Sequence, residues 1–243
     1  LPLSYNTYDI SIMKTILETD NDFICDIQAA CFQLLTNEEA ELVRSSKTQV
    51  LFRKGDSLSK QGAYASYVLF VIKGLAKQYI EGDSNRSFNL RIIQPGEFVG
   101  LSSVFVSNIF LYSSVALTDC QVILIEKDAI ARVAAKNGPF SFSISKRYFA
   151  QNADLFQTLG HVLFKHMNGR LADALLYLDN LRPAHHDVFQ LLTRKDLADF
   201  AGIATESTVK LLKSLEKEGI IALKEKDILI LDAERLTAIS KNG

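Results

Sequence analysis

Apolar and polar positions follow two different periods along this chain, and the change of period divides it. From Val50 to Gly100, short apolar runs are punctuated by Gly55, Gly62, Gly74, Gly82, Gly96 and Gly100. Runs of that length between turn residues predict short antiparallel strands closing into a barrel or sandwich. Residues 81–85, EGDSN, predict a hairpin turn, and residues 114–125, SVALTDCQVILI, predict the closing strands. Upstream, Thr36 and Glu39 have the spacing of a capping box, which opens a short helix to about Arg44. Downstream, a helix is predicted over Lys127–Lys136.

The period then becomes helical. Residues 140–167 predict one long helix with Phe142, Phe149, Phe156 and Leu163 at seven-residue spacing, and with Leu159 and His166 three positions beyond the last two. A heptad stripe of this kind is the seam of a coiled coil. It predicts a homodimer through the 140–167 helix; a helix packed only on its own barrel is the alternative. Asn168-Gly169 breaks the repeat and predicts a hinge, followed by a helix over Arg170–Leu181.

The stretch Thr193–Ile221, TRKDLADFAGIATESTVKLLKSLEKEGII, reads as a helix-turn-helix. Thr193 is an N-cap with Asp196 in the first turn. Leu197, Ala198 and Ala201 make the apolar side of a short helix, and Gly202 supplies the turn. Thr205 is positioned to cap a second helix whose buried side is Val209, Leu212 and Leu215, with Leu211 beside them. Its other face carries Glu206, Ser207, Lys210, Lys213 and Lys217, and Gly219 ends it. The second helix of such a motif enters the major groove of duplex DNA. Two short apolar runs then flank Lys224-Glu225-Lys226-Asp227, which predicts a β-wing with a basic tip suited to phosphate.

Bulk charge does not advertise this partner. The whole chain carries a net charge of -1, and residues 168–243 hold 11 Lys+Arg against 12 Asp+Glu. DNA binding must then rest on local placement of Arg194, Lys195, Lys210, Lys213, Lys224 and Lys226, and is expected to be salt-sensitive. Apolar residues make up 48% of the chain, enough for real cores, and no run approaches a membrane span. Three cysteines, Cys25, Cys31 and Cys120, lack any framework spacing, which together with the absence of a signal-peptide pattern predicts a reducing cytoplasm. Met13 opens a plausible start, so residues 1–12 are expected to be a tag remnant or an upstream extension; an intact mass of the native protein that includes them would refute this.

Taken in order, strand barrel, long helix, hinge and winged helix-turn-helix resemble the Crp/Fnr family of bacterial transcription regulators, over roughly residues 31–237. The motifs are FRKGDSLSKQGAYASYVLFVIKG (52–74), IIQPGEFVGLSSVF (92–105), VALTDCQVILI (115–125), NGRLADALLYL (168–178) and EKEGII (216–221). The resemblance implies an α+β chain with three parts: an N-terminal helix and jelly-roll-like β-roll with a cyclic-nucleotide-binding-like domain (1–138), a dimerisation helix (139–167), and a winged helix-turn-helix (168–243). It implies a homodimer, double-stranded DNA and RNA polymerase as partners, and an effector that enters the β-roll and reorients the DNA-binding domains.

The effector signatures of the family's best-marked branches are missing. Where the cyclic-AMP branch has a Glu on the ribose, this chain has Leu101; where it has an Arg-Ser pair on the phosphate, this chain has Phe110 and Leu111; where two hydroxyl residues meet the adenine, it has Leu155 and Phe156. Burying a phosphate without a partner is costly, so cyclic AMP is expected not to bind. The branch that holds an iron–sulfur cluster needs four cysteines, and this chain has three. No metal site is expected: the four histidines show no ligand spacing, with His185-His186 read as a solvated loop pair and His161 and His166 as helix-surface or seam residues. The candidate pocket is then lined by Phe98, Val99, Gly100, Leu101, Ser102, Ser103, Phe110, Leu111, Tyr112, Leu155 and Phe156. It either takes an apolar or weakly polar metabolite or is filled by side chains.

Carried over from the family, Thr205, Glu206 and Lys210 are the positions that meet base edges, of which only the Glu keeps the family's common Arg, Glu, Arg pattern. Ser207 and Thr208 are short hydroxyls suited to phosphate or thymine-methyl contact. No phosphate loop, nucleophile–base pair or metal spacing supports an enzyme. Gly96–Gly100 reads as a strand turn with no clear helix after it. The competing class is a ligand-sensing module that binds another protein and keeps a vestigial helix-turn-helix.

Overall fold

The computed structural model describes residues 14–17, 20, 27, 29–83, 86–106 and 108–243. Residues 1–12, Cys25 and part of the 81–85 turn therefore lie outside the described residues.

Among the described residues, nine strands form the β-roll. Lys14–Ile16 (β1), Lys47–Phe52 (β2), Tyr67–Lys73 (β4), Phe98–Val99 (β7) and Cys120–Glu126 (β9) make one sheet in the order β1-β2-β9-β4-β7. Ser57–Ser59 (β3), Ala76–Glu81 (β5), Ser87–Ile93 (β6) and Ser113–Ala116 (β8) make the other in the order β3-β8-β5-β6. Every pairing among them is antiparallel. Val50, Phe52, Leu69, Val71 and Val122 pack between the sheets. The opposite face of the first sheet, with Val68, Phe70, Ile123 and Ile125, is covered by helices. Burial on both faces is why β4 and β9 read as continuous apolar runs rather than alternating ones.

The covering helices are Asn37–Ser45 (α1), Lys127–Lys136 (α3) and the start of Gly138–Phe164 (α4). Thr36 and Glu39 close the expected capping box on α1: the Glu39 amide donates to Thr36 Oγ1 at 3.3 Å and the Thr36 amide to Glu39 Oε2 at 2.9 Å. Only Phe140 and Ile144 of α4 are buried, so its first turns pack on the β-roll, and later turns border an open space beside β6.

Three expectations need correction here. A one-turn helix, Ser102–Phe105 (α2), does follow the Gly96–Gly100 turn. The long helix stops at Phe164, and the break lies at Lys165–His166, both extended, rather than at Asn168-Gly169. His166 is accordingly the N-cap of the next helix, Met167–Asp179 (α5), not a seam residue. Gly169 is inside α5 for a packing reason: a Cβ there would sit 2.8 Å from the Gly243 carbonyl oxygen.

The C-terminal part consists of α5, Arg194–Ala201 (α6), Thr205–Lys217 (α7), the hairpin Ile221–Lys224 (β10) and Asp227–Ile230 (β11), and Ala233–Asn242 (α8). Leu171, Leu175, Leu178, Phe189, Leu197, Leu212, Leu236 and their neighbours share one core. Leu75, Ile92 and Leu117 of the β-roll join the same core, so apolar packing runs unbroken from one domain to the other.

Candidate nucleic-acid interface and interdomain cavity

The helix-turn-helix is built as its local sequence dictates. Thr193 caps α6, accepting from the Asp196 amide while the Asp196 carboxylate accepts from the Thr193 amide at 2.8 Å. Gly202 adopts φ 61° and ψ 40°, the left-handed turn that separates α6 from α7. Gly219 ends α7 with φ 71°. The wing is the expected hairpin; Glu225 takes φ 51° at its tip, flanked by exposed Lys224 and Lys226. Its base is held down by Arg182, which donates to Asp227 Oδ1 at 2.8 Å and to the Ile228 carbonyl while lying over the Phe189 ring.

The N-cap of α7 is Ala204, which offers no side-chain cap, so Thr205 is the first helical residue rather than the cap. The leading amides of α7 are thereby left for an external acceptor, and the helix dipole favours an anion there. Thr205, Glu206, Lys210 and Lys213 are exposed and Ser207 is half-buried. Thr208 is not available: it is 0% exposed, with its hydroxyl donating back to the Ala204 carbonyl at 3.2 Å. It belongs to the buried side with Leu212 and Leu215, and the reading of it as a DNA contact is withdrawn. Arg194 is half-buried, and Lys195 is exposed but forms an ion pair with Asp199 at 2.7 Å.

Two matches identify this assembly: residues 49–137 fit the model of a cyclic nucleotide-binding domain, and residues 169–239 that of a Crp-like helix-turn-helix domain. The chain belongs to the Crp/Fnr family of transcription regulators. The "Anaerobic regulatory protein" of Bacillus subtilis is 25% identical over 203 residues, which is 82% of this chain and 85% of the relative. The cAMP-activated global transcriptional regulator CRP of Salmonella typhimurium is 24% identical over 178 residues, 72% of this chain and 85% of the relative. FixK2 from Bradyrhizobium japonicum shares the fold at a TM-score of 0.70 and 20% identity, over 79% of this chain and 96% of that one. The c-di-GMP-responsive regulator CLP of Xanthomonas campestris does so at 0.70 and 18%, over 80% and 99%. Members of the Crp/Fnr family are DNA-binding regulators, not enzymes. Among the described residues, no helix is long and apolar enough to cross a membrane.

Local pattern did not reveal how this Crp/Fnr chain seats its DNA-binding domain. Helix α6 lies against the β5–β6 hairpin. Lys77 pairs with Asp196, Ser87 Oγ donates to Asp199 Oδ2 at 2.7 Å, and Asn89 Nδ2 donates to the Asp196 carbonyl at 2.9 Å. On the α5 side, the Ile92 amide donates to the Tyr177 hydroxyl at 2.8 Å, and burial pushes that hydroxyl up to about 12. Gly202 faces the Phe88 ring, 3.0 Å from where a Cβ would be.

Burial raises the Asp196 carboxyl, but hydrogen bonds from Lys77 and Thr193 outweigh it and leave the group below its usual range. A depressed carboxyl contributes stability that is complete above its unfolded range and is lost as pH falls through the folded value. The two domains are therefore expected to separate on acidification below about pH 4. Small-angle scattering should show the radius of gyration rising there, with a Lys77→Met chain already expanded at neutral pH. An unchanged radius in both experiments removes this seam as the clamp.

The candidate pocket is only partly where the family alignment put it. Phe98, Val99, Gly100, Ser103 and Phe110 are buried, Val99 and Phe110 between the sheets and Phe98 on the helix-covered face. The Phe110 ring closes against Gly100, 2.5 Å from where a Cβ would lie, and Tyr112 accepts the Gly100 amide at 2.9 Å. Phe156 is turned out to solvent. Those six, Tyr112 aside, do not border the cavity between the domains. Leu101, Ser102, Leu111, Tyr112 and Leu155 do: they border a space of about 720 Å³ whose other walls are β6, α4, α5 and α6. It lies between the domains and exceeds the roughly 300 Å³ that a ligand site needs.

The remaining side chains with chemistry are quiet. Cys31 and Cys120 are buried, and burial raises both thiols, Cys120 to about 11. That is the opposite of a reactive thiolate. His161 sits 3.2 Å from Asp173, and His185 contacts Gln94 at 3.1 Å, so His185 is a domain-junction residue rather than a solvated one.

Proposed function

We propose that this Crp/Fnr regulator reads a palindromic operator as a homodimer, and that its effector, where it uses one, is not cyclic AMP. The observation that carries the dimer is the stripe on α4. Phe142, Phe149 and Phe156 are 75%, 68% and 75% exposed in the single chain, and Leu163 follows at 63%. Four large apolar groups in heptad register on one helix are the half of a seam that a second copy completes. Two recognition helices related by a two-fold axis imply half-sites about one helical turn apart.

In the groove, Glu206 accepts from a cytosine amino group and Lys210 donates to guanine O6 and N7. Thr205, free of capping duty, stands beside them. Ser207, Lys213, Arg194, Lys195 and the wing residues Lys224 and Lys226 supply phosphate contacts. Against cyclic AMP stand Leu101 and Phe110, apolar and buried where the family alignment places ribose and phosphate partners. RNA polymerase is the protein partner the family implies, and the bacterial cytoplasm its place.

The deciding experiment is selection from random duplex DNA without added ligand, run beside a Thr205/Glu206/Lys210 triple-alanine chain. A palindrome enriched by the wild type alone supports the reading. Enrichment of the same sequence by both chains removes the recognition helix from it. Lys210→Ala should cost about 1–3 kcal/mol on the selected operator and relax preference at one base pair. Lys224→Ala should weaken selected and random DNA alike. Equal losses on both DNAs for Lys210→Ala would refute its base-reading role.

A further inference from the structure

Glu225, at the tip of the wing, is the one non-glycine with a positive φ among the described residues, at 51°. Lys224 pairs with Asp227, so Glu225 and Lys226 are the whole loop, and only the first of them has a positive φ. Two-residue hairpin loops of that kind favour glycine at the first position, because in this conformation a Cβ crowds the following carbonyl. Such strain persists only where the surroundings hold it, and it gathers at functional sites. The base of the wing does hold it. Asp227 Oδ1 accepts from Arg182 and from the Ile228 amide, both at 2.8 Å, and Arg182 donates to the Ile228 carbonyl as well. With Asp227 engaged in this way, Glu225 supplies the exposed carboxylate of the tip, between exposed Lys224 and Lys226. We propose that Glu225 is a base-reading residue: it enters the minor groove beside each half-site and selects a guanine there by its 2-amino group.

The chemistry of side chain and groove narrows the choice to one base. A carboxylate on a DNA-facing tip is repelled by the phosphates around it, so it needs a donor to offset that cost. Ionised, it accepts hydrogen bonds and cannot donate them. The minor-groove edges of A·T and T·A pairs show acceptors alone, and guanine adds the one donor, its 2-amino group. An acceptor-only side chain in that groove is matched by G·C and refused by A·T. The position of the tip follows from α7. That helix takes the major groove, and the hairpin follows its C-terminal end at Gly219. Across the backbone that bounds the major groove lies the minor groove. Lys224 and Lys226, on either side of Glu225, suit the phosphates lining it and leave the carboxylate between them over the base edges. This contact rests on the operator reading above. It adds a minor-groove preference that Glu206 and Lys210, facing the major groove, do not supply.

The test uses the full chain and the palindrome it selects from random duplex DNA. In each half-site, guanines flanking the α7 contact are replaced one at a time by inosine. Inosine lacks the 2-amino group and keeps guanine's major-groove edge. Fluorescence anisotropy is read for the wild type, for Glu225→Gly, which suits the positive φ, and for Glu225→Ala, which keeps the Cβ and its strain. The wild type is expected to lose about tenfold in affinity at one position per half-site. Both variants should lose no more there than at the other inosines. An inosine·C pair is also more deformable, an effect that all three proteins share, so the difference between wild type and variants is the readout. The glycine variant separates the side chain from the turn: discrimination lost in glycine but kept in alanine would assign it to the backbone and overturn the proposal. So would a wild type indifferent to every inosine, variants that lose as much as the wild type, or a selected palindrome with no guanine in its flanks. A chain that selects no duplex fails the operator reading and this proposal with it. A chain that selects a palindrome yet ignores inosine fails this proposal alone.

Discussion

A Phe149→Glu, Phe156→Glu double variant is expected to run as a monomer and to lose at least about a hundredfold in operator affinity. Both phenylalanines are exposed in the single chain and lie well past Ile144, the last buried residue of α4, so the change leaves the protomer's own core alone. In a dimer each ring is worth about 1.5–3 kcal/mol when buried, and the two-fold doubles the loss to four rings. The carboxylates that replace them would face one another across the seam, adding repulsion in a desolvated place. Light scattering checks the mass, thermal unfolding checks the protomer, and fluorescence anisotropy checks the operator. A variant that stays dimeric would show that the stripe is not the seam.

The second large effect is on the fold itself. Gly74→Ala is expected to destabilise the protein by about 2–5 kcal/mol, whereas Gly55→Ala should cost only about 1–2. Both glycines have positive φ, 88° and 94°, so both substitutions pay the left-handed strain. They differ in their surroundings. A Cβ at Gly55 meets nothing within 4 Å; one at Gly74 runs into the Asp119 carbonyl oxygen and lies 2.9 Å from Cα and Sγ of Cys120. That loop has no room to yield, because the Asp119 carboxylate is fixed by Arg53 at 2.6 Å and by the Lys54 amide at 2.9 Å. Urea midpoints of the two variants give the comparison; equal losses would leave strain alone as the explanation and remove the steric clash.

What the sequence made legible was whatever is decided within a few residues. The capping box at Thr36–Glu39, the Thr193 N-cap, the left-handed Gly202 and the wing hairpin all follow from local hydrogen bonding and backbone freedom, and each appears as expected; that Asp196 returns a bond to the Thr193 amide was not foreseen. The misses share a cause. Thr208 looks polar on a helical wheel, yet its hydroxyl is satisfied by the carbonyl one turn back, which makes it cheap to bury. Asn168-Gly169 looks like a breaker, yet Gly169 is small because another backbone passes close by. Asp196 was legible as a capping residue and not as the partner of Lys77, which is 119 residues away. The pocket was placed by family alignment, which preserves positions but not volume: the Phe110 ring fills the space beside Gly100, while Leu101, Leu111 and Leu155 border an open space that runs on to the domain junction.

Lys195 holds two appointments. Its ammonium is tied to Asp199, whose other partner is Ser87 on the β5–β6 hairpin, and it is also among the cations proposed above to meet the DNA backbone. An ammonium that turns to a phosphate leaves Asp199 with less to hold it, so operator and hairpin become rivals for one side chain. Rivalry of this kind is reciprocal: whatever loosens the hairpin frees a cation for DNA, and DNA in turn loosens the hairpin. The grip on the operator and the posture of the protein are then two readings of a single equilibrium.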